Sequence, residues 1–123
     1  MGDLVLVVDD QAELLELVVK HIEQLGLKTI SACNASEGLA HFRKHRPSLV
    51  ISDCYMPGLE ETEHMVRAIR SEARQTTIIM MSGSPNLSLE WALDLGADSF
   101  MEKPFRPEAF ENIILEVYGP KGV

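Results

Sequence analysis

The sequence predicts an α/β fold, a doubly wound five-stranded parallel sheet with helices on both faces, in one domain. Three observations carry that expectation. Short apolar runs alternate five times with longer amphipathic stretches, as in repeated β-α units. The strand runs read as apolar at every position, the mark of strands buried on both faces. The chain has 123 residues, 46% apolar and 24% charged, which suits one hydrophobic core and excludes a disordered or low-complexity chain.

The elements follow in order. Leu4-Val5-Leu6-Val7-Val8 is the first strand. From Glu13 to Leu25, the residues Leu14, Leu15, Val18, Val19, Ile22 and Leu25 recur at helical spacing, and Gly26 stops the helix. Lys28 to Ala32 is the second strand. Ser36 is expected to cap a second helix that reaches His45, before Pro47. Leu49 to Ser52 is the third strand, and Glu60 to Ala73 a helix with Met65, Val66 and Ile69 as its stripe. Thr77 to Met81 is the fourth strand, Asn86 to Leu95 a helix closed by Gly96, and Asp98 to Met101 the fifth strand. Arg106 to Tyr118 is the last helix, with Phe110, Ile113, Ile114 and Val117 facing inward.

Charge and cysteine usage narrow the function classes. Eleven basic residues stand against nineteen acidic ones, a net charge of −8 with His neutral. Such a chain is repelled by nucleic acid and by anionic membranes, so neither is expected as a direct partner. The run from Leu4 to Val8, between Asp3 and Asp9, is too short for a membrane span or a signal-peptide core. Cys33 and Cys54 make no metal-binding pattern and fit a reducing cytoplasm.

In such sheets, ligands sit beyond the carboxyl ends of the strands. Strand one runs into Asp9-Asp10 and strand three into Asp53; strand four runs into Ser82-Gly83-Ser84 and strand five into Glu102-Lys103-Pro104. Three carboxylates, a hydroxyl and an ammonium thus share one edge. Two carboxylates about 4 Å apart repel by roughly 4 kcal/mol at an effective dielectric near 20. Lys103 offsets one of them; the remaining charge calls for a divalent cation or a raised pKa. An all-oxygen donor set favours Mg²⁺ or Mn²⁺ over Zn²⁺. A carboxylate beside a metal, a lysine and a hydroxyl is equipped to take a phosphoryl group, whose equatorial oxygens the cations neutralise. Taken singly, Asp10 reads as a helix cap and Lys103 as a solvated lysine; their convergence changes the reading.

The segments Val7-Val8-Asp9-Asp10, Ser52-Asp53-Cys54-Tyr55-Met56-Pro57-Gly58, Met80-Met81-Ser82-Gly83 and Gly96-Ala97-Asp98-Ser99-Phe100-Met101-Glu102-Lys103-Pro104-Phe105 resemble, in this order, the receiver domain of two-component response regulators. The resemblance runs from Leu4 to about Tyr118. It implies a flavodoxin-like sheet of strand order 2-1-3-4-5, with residues 1–119 as the receiver and 120–123 as a tail or the start of a linker. It implies that Asp53 accepts phosphate from a histidine kinase or a histidine phosphotransfer protein. Asp9, Asp10 and Asp53 would bind Mg²⁺ together with the backbone carbonyl of Tyr55. Lys103 would pair with Asp53 and later with its phosphate. Ser82 would turn toward the phosphoryl oxygen while Phe100 swings inward. The face of helix four, strand five and helix five would then engage an output domain or a downstream protein, with room for a homodimer on phosphorylation. Lys103-Pro104 is expected to be a cis bond. The protein would not be an enzyme in the usual sense, but a phosphoacceptor that assists its own Mg²⁺-dependent phosphorylation and dephosphorylation.

Several residues depart from the family pattern or stand outside it. Leu59-Glu60-Glu61 replaces a common Met-Asp-Gly, so the third helix should start differently. Tyr55 and Ser84, two residues after Asp53 and Ser82, should flank the phosphate, and the resemblance implies that these positions influence its lifetime. His41 and His45, four apart on a helix, could share a metal but have no third ligand in view. His21 and His64 read as surface residues, Cys54 as a small core residue, and Trp91 as core packing or an exposed contact. An aspartate-nucleophile phosphatase would want a second acid where Tyr55 stands, and an FMN carrier would want a phosphate loop where Asp9-Asp10 stands. A receiver-fold interaction module that is never phosphorylated is the remaining alternative. The chain reads equally as a stand-alone receiver and as the receiver of a longer regulator.

Overall fold

The computed structural model describes residues 4–56, 58–103 and 106–118. Its order is β1(Leu4–Val8), α1(Ala12–Gln24), β2(Lys28–Ala32), α2(Ala35–His45), β3(Leu49–Asp53), α3(Glu60–Glu72), β4(Thr77–Ser82), α4(Leu89–Leu95), β5(Ser99–Glu102) and α5(Pro107–Tyr118). The five strands form one sheet in the order β2-β1-β3-β4-β5, and every paired neighbour is parallel.

Alternation along the strands divides the core in two. Leu6, Val8, Val50, Ile78 and Met80 point to the side that holds Leu39 and Phe42 of α2, Met65, Val66 and Ile69 of α3, and Ala92 and Leu95 of α4. Val5, Val7, Leu49, Ile51, Ile79 and Met81 point to the other side, against Val18 and Ile22 of α1 and Phe110, Ile113 and Ile114 of α5. The expectation of wholly apolar strands holds for β1 and for most of β3 and β4. It fails at the edges: β2 exposes Lys28 and Ser31, and β5 leaves Ser99 and Phe100 only half-buried. Edge strands carry one unpaired side, and charged or polar residues there discourage further pairing.

Two helix starts differ from the expectation. The cap of α2 is Asn34, whose side chain accepts from the Glu37 N–H at 2.7 Å; Ser36 lies inside the helix. Glu37 in turn accepts from the N–H of Cys33, the residue before the cap, at 3.0 Å, so two local hydrogen bonds outcompete the serine. The start of α4 is Leu89, capped by Ser88, because residues from Gly83 to Leu87 are held in a loop by Ser84. At Leu59-Glu60-Glu61, α3 begins without a side-chain cap, and Glu60, Glu61 and Glu63 complement its dipole instead.

Close approach and tight turns account for two glycines. A Cβ on Gly38 would lie 3.0 Å from both Met65 Sδ and Val8 Cγ2, so only glycine lets α2 settle this near β1 and α3. Gly96 ends α4 at φ 119, in the left-handed region. Beside it, the Arg70 guanidinium donates to the carbonyls of Gly96 (2.7 Å), Arg74 (2.8 Å) and Thr76 (2.9 Å) and to Asp98 (2.6 Å). Asp98 also accepts from the Ile78 N–H at 2.8 Å. One arginine thereby ties the end of α3 to the starts of β4 and β5.

Candidate functional site

The carboxyl edge of the sheet gathers the residues singled out above. Parallel pairing sets β1, β3 and β4 side by side, so the residues at their ends emerge together. Asp9 follows β1; its N–H continues the ladder to the Ala32 carbonyl at 3.0 Å. Asp53 closes β3 and is buried, whereas Asp10 is exposed. Asp9, Asp10 and Asp53 each offer a carboxylate oxygen, all within 4.8 Å of one another. Lys103, beyond β5, donates from Nζ to Asp53 Oδ1 at 3.0 Å and stands 3.9 Å from Asp9 Oδ2. Its own N–H donates to the Ser82 carbonyl at 2.9 Å, which fixes the lysine to the end of β4.

Asp9 is the electrostatic centre of this group. Its side chain is fully buried. Oδ1 accepts from the Gln11 N–H at 2.9 Å, but Oδ2 has no hydrogen-bond partner. Burial pushes its pKa up, and the charges of Asp53 and Asp10 add to that; the Gln11 N–H and Lys103 act the other way. A buried carboxylate oxygen with no hydrogen bond, facing two further carboxylates, is the donor set of a hard divalent cation, so the residues fit Mg²⁺ or Mn²⁺. Among the described residues, these three aspartates are the cluster able to hold a metal, and His41 and His45 gain no third ligand. Their rings lie 6.0 Å apart, tilted by 34°.

These aspartates, with a lysine and a hydroxyl at the carboxyl edge of a 2-1-3-4-5 sheet, coincide with a known family. The family model for the response regulator receiver domain matches residues 5–115. The chain belongs to the response regulator receiver family. It is 33% identical over 113 residues to the probable transcriptional regulator ycf27 of Porphyra purpurea, covering 92% of this chain and 46% of that protein. It is 30% identical over 108 residues to the alkaline phosphatase synthesis transcriptional regulatory protein PhoP of Bacillus subtilis, covering 87% of this chain and 45% of that one. The chain thus spans about half the length of these curated relatives. The chemotaxis response regulator CheY4 of Vibrio cholerae superposes with a TM-score of 0.82 at 29% identity, covering 95% of this chain and 99% of that one.

The structure places the remaining residues singled out in the sequence as follows. Ser82 is buried at the end of β4, and its Oγ accepts from the Ser84 N–H at 3.0 Å. Tyr55 is 40% exposed, and Ser84 is half-buried beside the Ser82 hydroxyl. Phe100 is half-buried against the same core side as Leu87 and Trp91. Pro104, and with it the expected cis bond, lies outside the described residues. Cys54 is a core residue; burial pushes its thiol up to about 12, so it stays protonated. Neither Cys54 nor the exposed Cys33 is in a disulfide.

One surface expectation changes, and Trp91 takes the core-packing alternative. His21 is half-buried and stacks on Phe110, their centroids 5.8 Å apart, which docks α1 on α5. Trp91 is also half-buried, and its Nε1–H donates to Glu63 Oε2 at 3.3 Å. The apolar residues that α4 does expose are Leu89 and Leu93, each 49% accessible. The polar partners that change with the fold, Ser84 for Ser82 and Glu63 for Trp91, carried no signal in the sequence beyond their residue type. Motif spacing reports strand ends and not the pairing of loop backbones.

No helix among the described residues is long and apolar enough to cross a membrane.

Proposed function

We propose that this receiver accepts a phosphoryl group on Asp53 from a histidine kinase or a histidine phosphotransfer protein. The observation that carries the reading is the placement of Asp53 within the Asp9-Asp10 cluster and 3.0 Å from the Lys103 ammonium. Lys103 occupies Oδ1, which leaves the second carboxylate oxygen to attack phosphorus. The phosphorus–nitrogen bond to the donor imidazole breaks as the acyl phosphate forms. Lys103 then pairs with the new phosphoryl oxygens. Asp9, Asp10, Asp53 and the Tyr55 carbonyl would hold Mg²⁺, which when bound neutralises charge that develops on the phosphoryl oxygens. Tyr55 and Ser84 flank the phosphate and limit the approach of hydrolytic water.

Phosphorylation adds charge and strong acceptor oxygens at the strand ends. Ser82 turns to donate to one of them, and Phe100 moves into the space it vacates. The face of α4, β5 and α5 changes shape in consequence and meets an output domain, a downstream protein or a second copy. Phosphate drives this only through its different contacts in the two states. The unpaired cysteines among the described residues support a cytoplasmic setting.

The test is intact-protein mass after incubation with Mg²⁺ and acetyl phosphate, beside Asp53→Asn. One phosphoryl adduct on the parent and none on the variant is the expected result. An adduct that survives Asp53→Asn, or none on the parent with acetyl phosphate or a phosphohistidine donor, overturns the reading.

A further inference from the structure

A chain of net charge −8 keeps three of its eleven basic residues, Arg67, Arg70 and Arg74, in one short stretch. With Ser71 and Leu95 they line a cleft of about 760 Å³ between the ends of α3 and α4, and among the described residues no acid lines it. Arg70 is committed: its guanidinium donates to the carbonyls of Ala73, Arg74, Thr76 and Gly96 and to Asp98. Arg67 and Arg74 are exposed, and their side chains make no ion pair among the described residues. The acids nearest in sequence are engaged elsewhere. Glu63 accepts from the Trp91 indole, Glu72 pairs with Arg43 and Arg46, and Asp98 pairs with Arg70. Asp94, next to Leu95, is exposed and sets one negative charge against two positive ones.

Position separates this cleft from the acidic cluster. Helix α3 runs back to the start of β4 and α4 to the start of β5, so the cleft lies at the amino edge of the sheet. The six residues of β4 set about 17 Å between the two edges, roughly twice the screening length at physiological salt. The three aspartates therefore do not oppose an anion there. We propose that the cleft of Arg67 and Arg74 docks an extended acidic segment of a partner protein. A guanidinium presents paired N–H donors that match a carboxylate. Arg67 lies in α3 and Arg74 two residues past its end, on the order of 10 Å further along. Carboxylates two or three residues apart on an extended chain stand roughly 7–10 Å apart, so one segment meets both arginines. A single phosphate ion does not match that spacing. Leu95 and the arginine stems offer apolar surface to the carbons of the segment. A partner held at the amino edge stays bound through events at the carboxyl edge.

The experiment titrates the whole chain, labelled with nitrogen-15, and follows its backbone amide shifts. The probe is a capped peptide of alternating glutamate and serine, beside the same peptide with glutamine for glutamate. The glutamate peptide should move the amides of residues 67–74 and 95–96, and the glutamine peptide should move none. Combining Arg67→Ala with Arg74→Ala should weaken binding by about fivefold or more, and raising salt from about 20 to about 200 mM should weaken it too. Both side chains are exposed, and the spectrum of the free variant reports its fold. Combining Lys20→Ala with Lys44→Ala removes the same charge from exposed sites on α1 and α2 and should leave binding as in the parent. Asp53→Asn should also bind as the parent does, so this proposal and the reading of Asp53 fail separately. No shift with the glutamate peptide, shifts scattered over the surface, or equal losses in the arginine and lysine pairs overturns the docking site. Inorganic phosphate that moves the same amides at the same concentration makes the cleft a small-anion site and overturns the acidic segment. Shifts at residues 67–74 that follow the concentration of the chain alone make a second copy the occupant, and overturn it equally.

Discussion

Asp9→Asn should stabilise the metal-free protein. Three carboxylate oxygens lie within 4.8 Å of one another, and one ammonium stands 3.9 Å from Asp9. At an effective dielectric near 20, each carboxylate pair repels by about 3.5 kcal/mol, and Lys103 attracts Asp9 by about 4 kcal/mol. Neutralising Asp9 removes two repulsions and one attraction. It also weakens the hydrogen bond from Gln11, at a cost of about 1 kcal/mol. The balance is a gain of about 2 kcal/mol, or roughly 8 °C in Tm for a domain of this size. The assay is thermal unfolding with a chelator present, at several pH values. Asp9 has a raised pKa in the folded state, so the folded state holds its proton more tightly than the unfolded chain does. The penalty is full above the folded pKa and fades as pH falls through it toward the ordinary carboxylate value. The advantage of Asp9→Asn over the parent should therefore be largest near neutral pH and shrink on acidification. With Mg²⁺ present, the parent should gain stability and the variant should gain less. A lower Tm for metal-free Asp9→Asn at pH 7, or an advantage that grows on acidification, would refute the reasoning.

Three further outcomes follow from the geometry. Arg70→Ala strips donors from four backbone carbonyls and from Asp98, and should cost about 2–4 kcal/mol in urea unfolding, with little recovered by Arg70→Lys. Gly96→Ala places a side chain at φ 119 and a Cβ 3.3 Å from Arg70 Cβ, and should lower stability by about 1–2 kcal/mol in the same assay. Tyr55→Ala should hasten loss of the phosphoryl group from Asp53, followed by the decay of the mass adduct; an unchanged half-life removes Tyr55 from the account of phosphate lifetime.

Much of this molecule is legible along the chain. Leu4 to Val8 declares a buried strand because both its faces meet helices, and Asp9, Asp10, Asp53 and Lys103 declare a site because each stands at the end of a strand or just beyond it. Boundaries were less legible where two polar residues compete for one role. Asn34 and Ser36 are both able caps, and only the reach of Glu37 back to the Cys33 N–H decides for Asn34. Likewise, the leucines from Leu87 to Leu95 keep helical spacing, yet the hydrogen bonds to Ser84 hold Leu87 in the loop.

Periodicity and the order of strand-end residues are local properties, and they alone determine the β-α alternation, the acidic edge and the family. Burial and partnership are properties of packing. Tertiary structure left Asp9 Oδ2 without a hydrogen bond and put the indole of Trp91 on Glu63, with Leu89 and Leu93 turned outward. It also aimed the Ser84 N–H at the buried Ser82 hydroxyl. These contacts join residues on different strands, helices and loops, whose separation is fixed only when the sheet closes and the two cores fill.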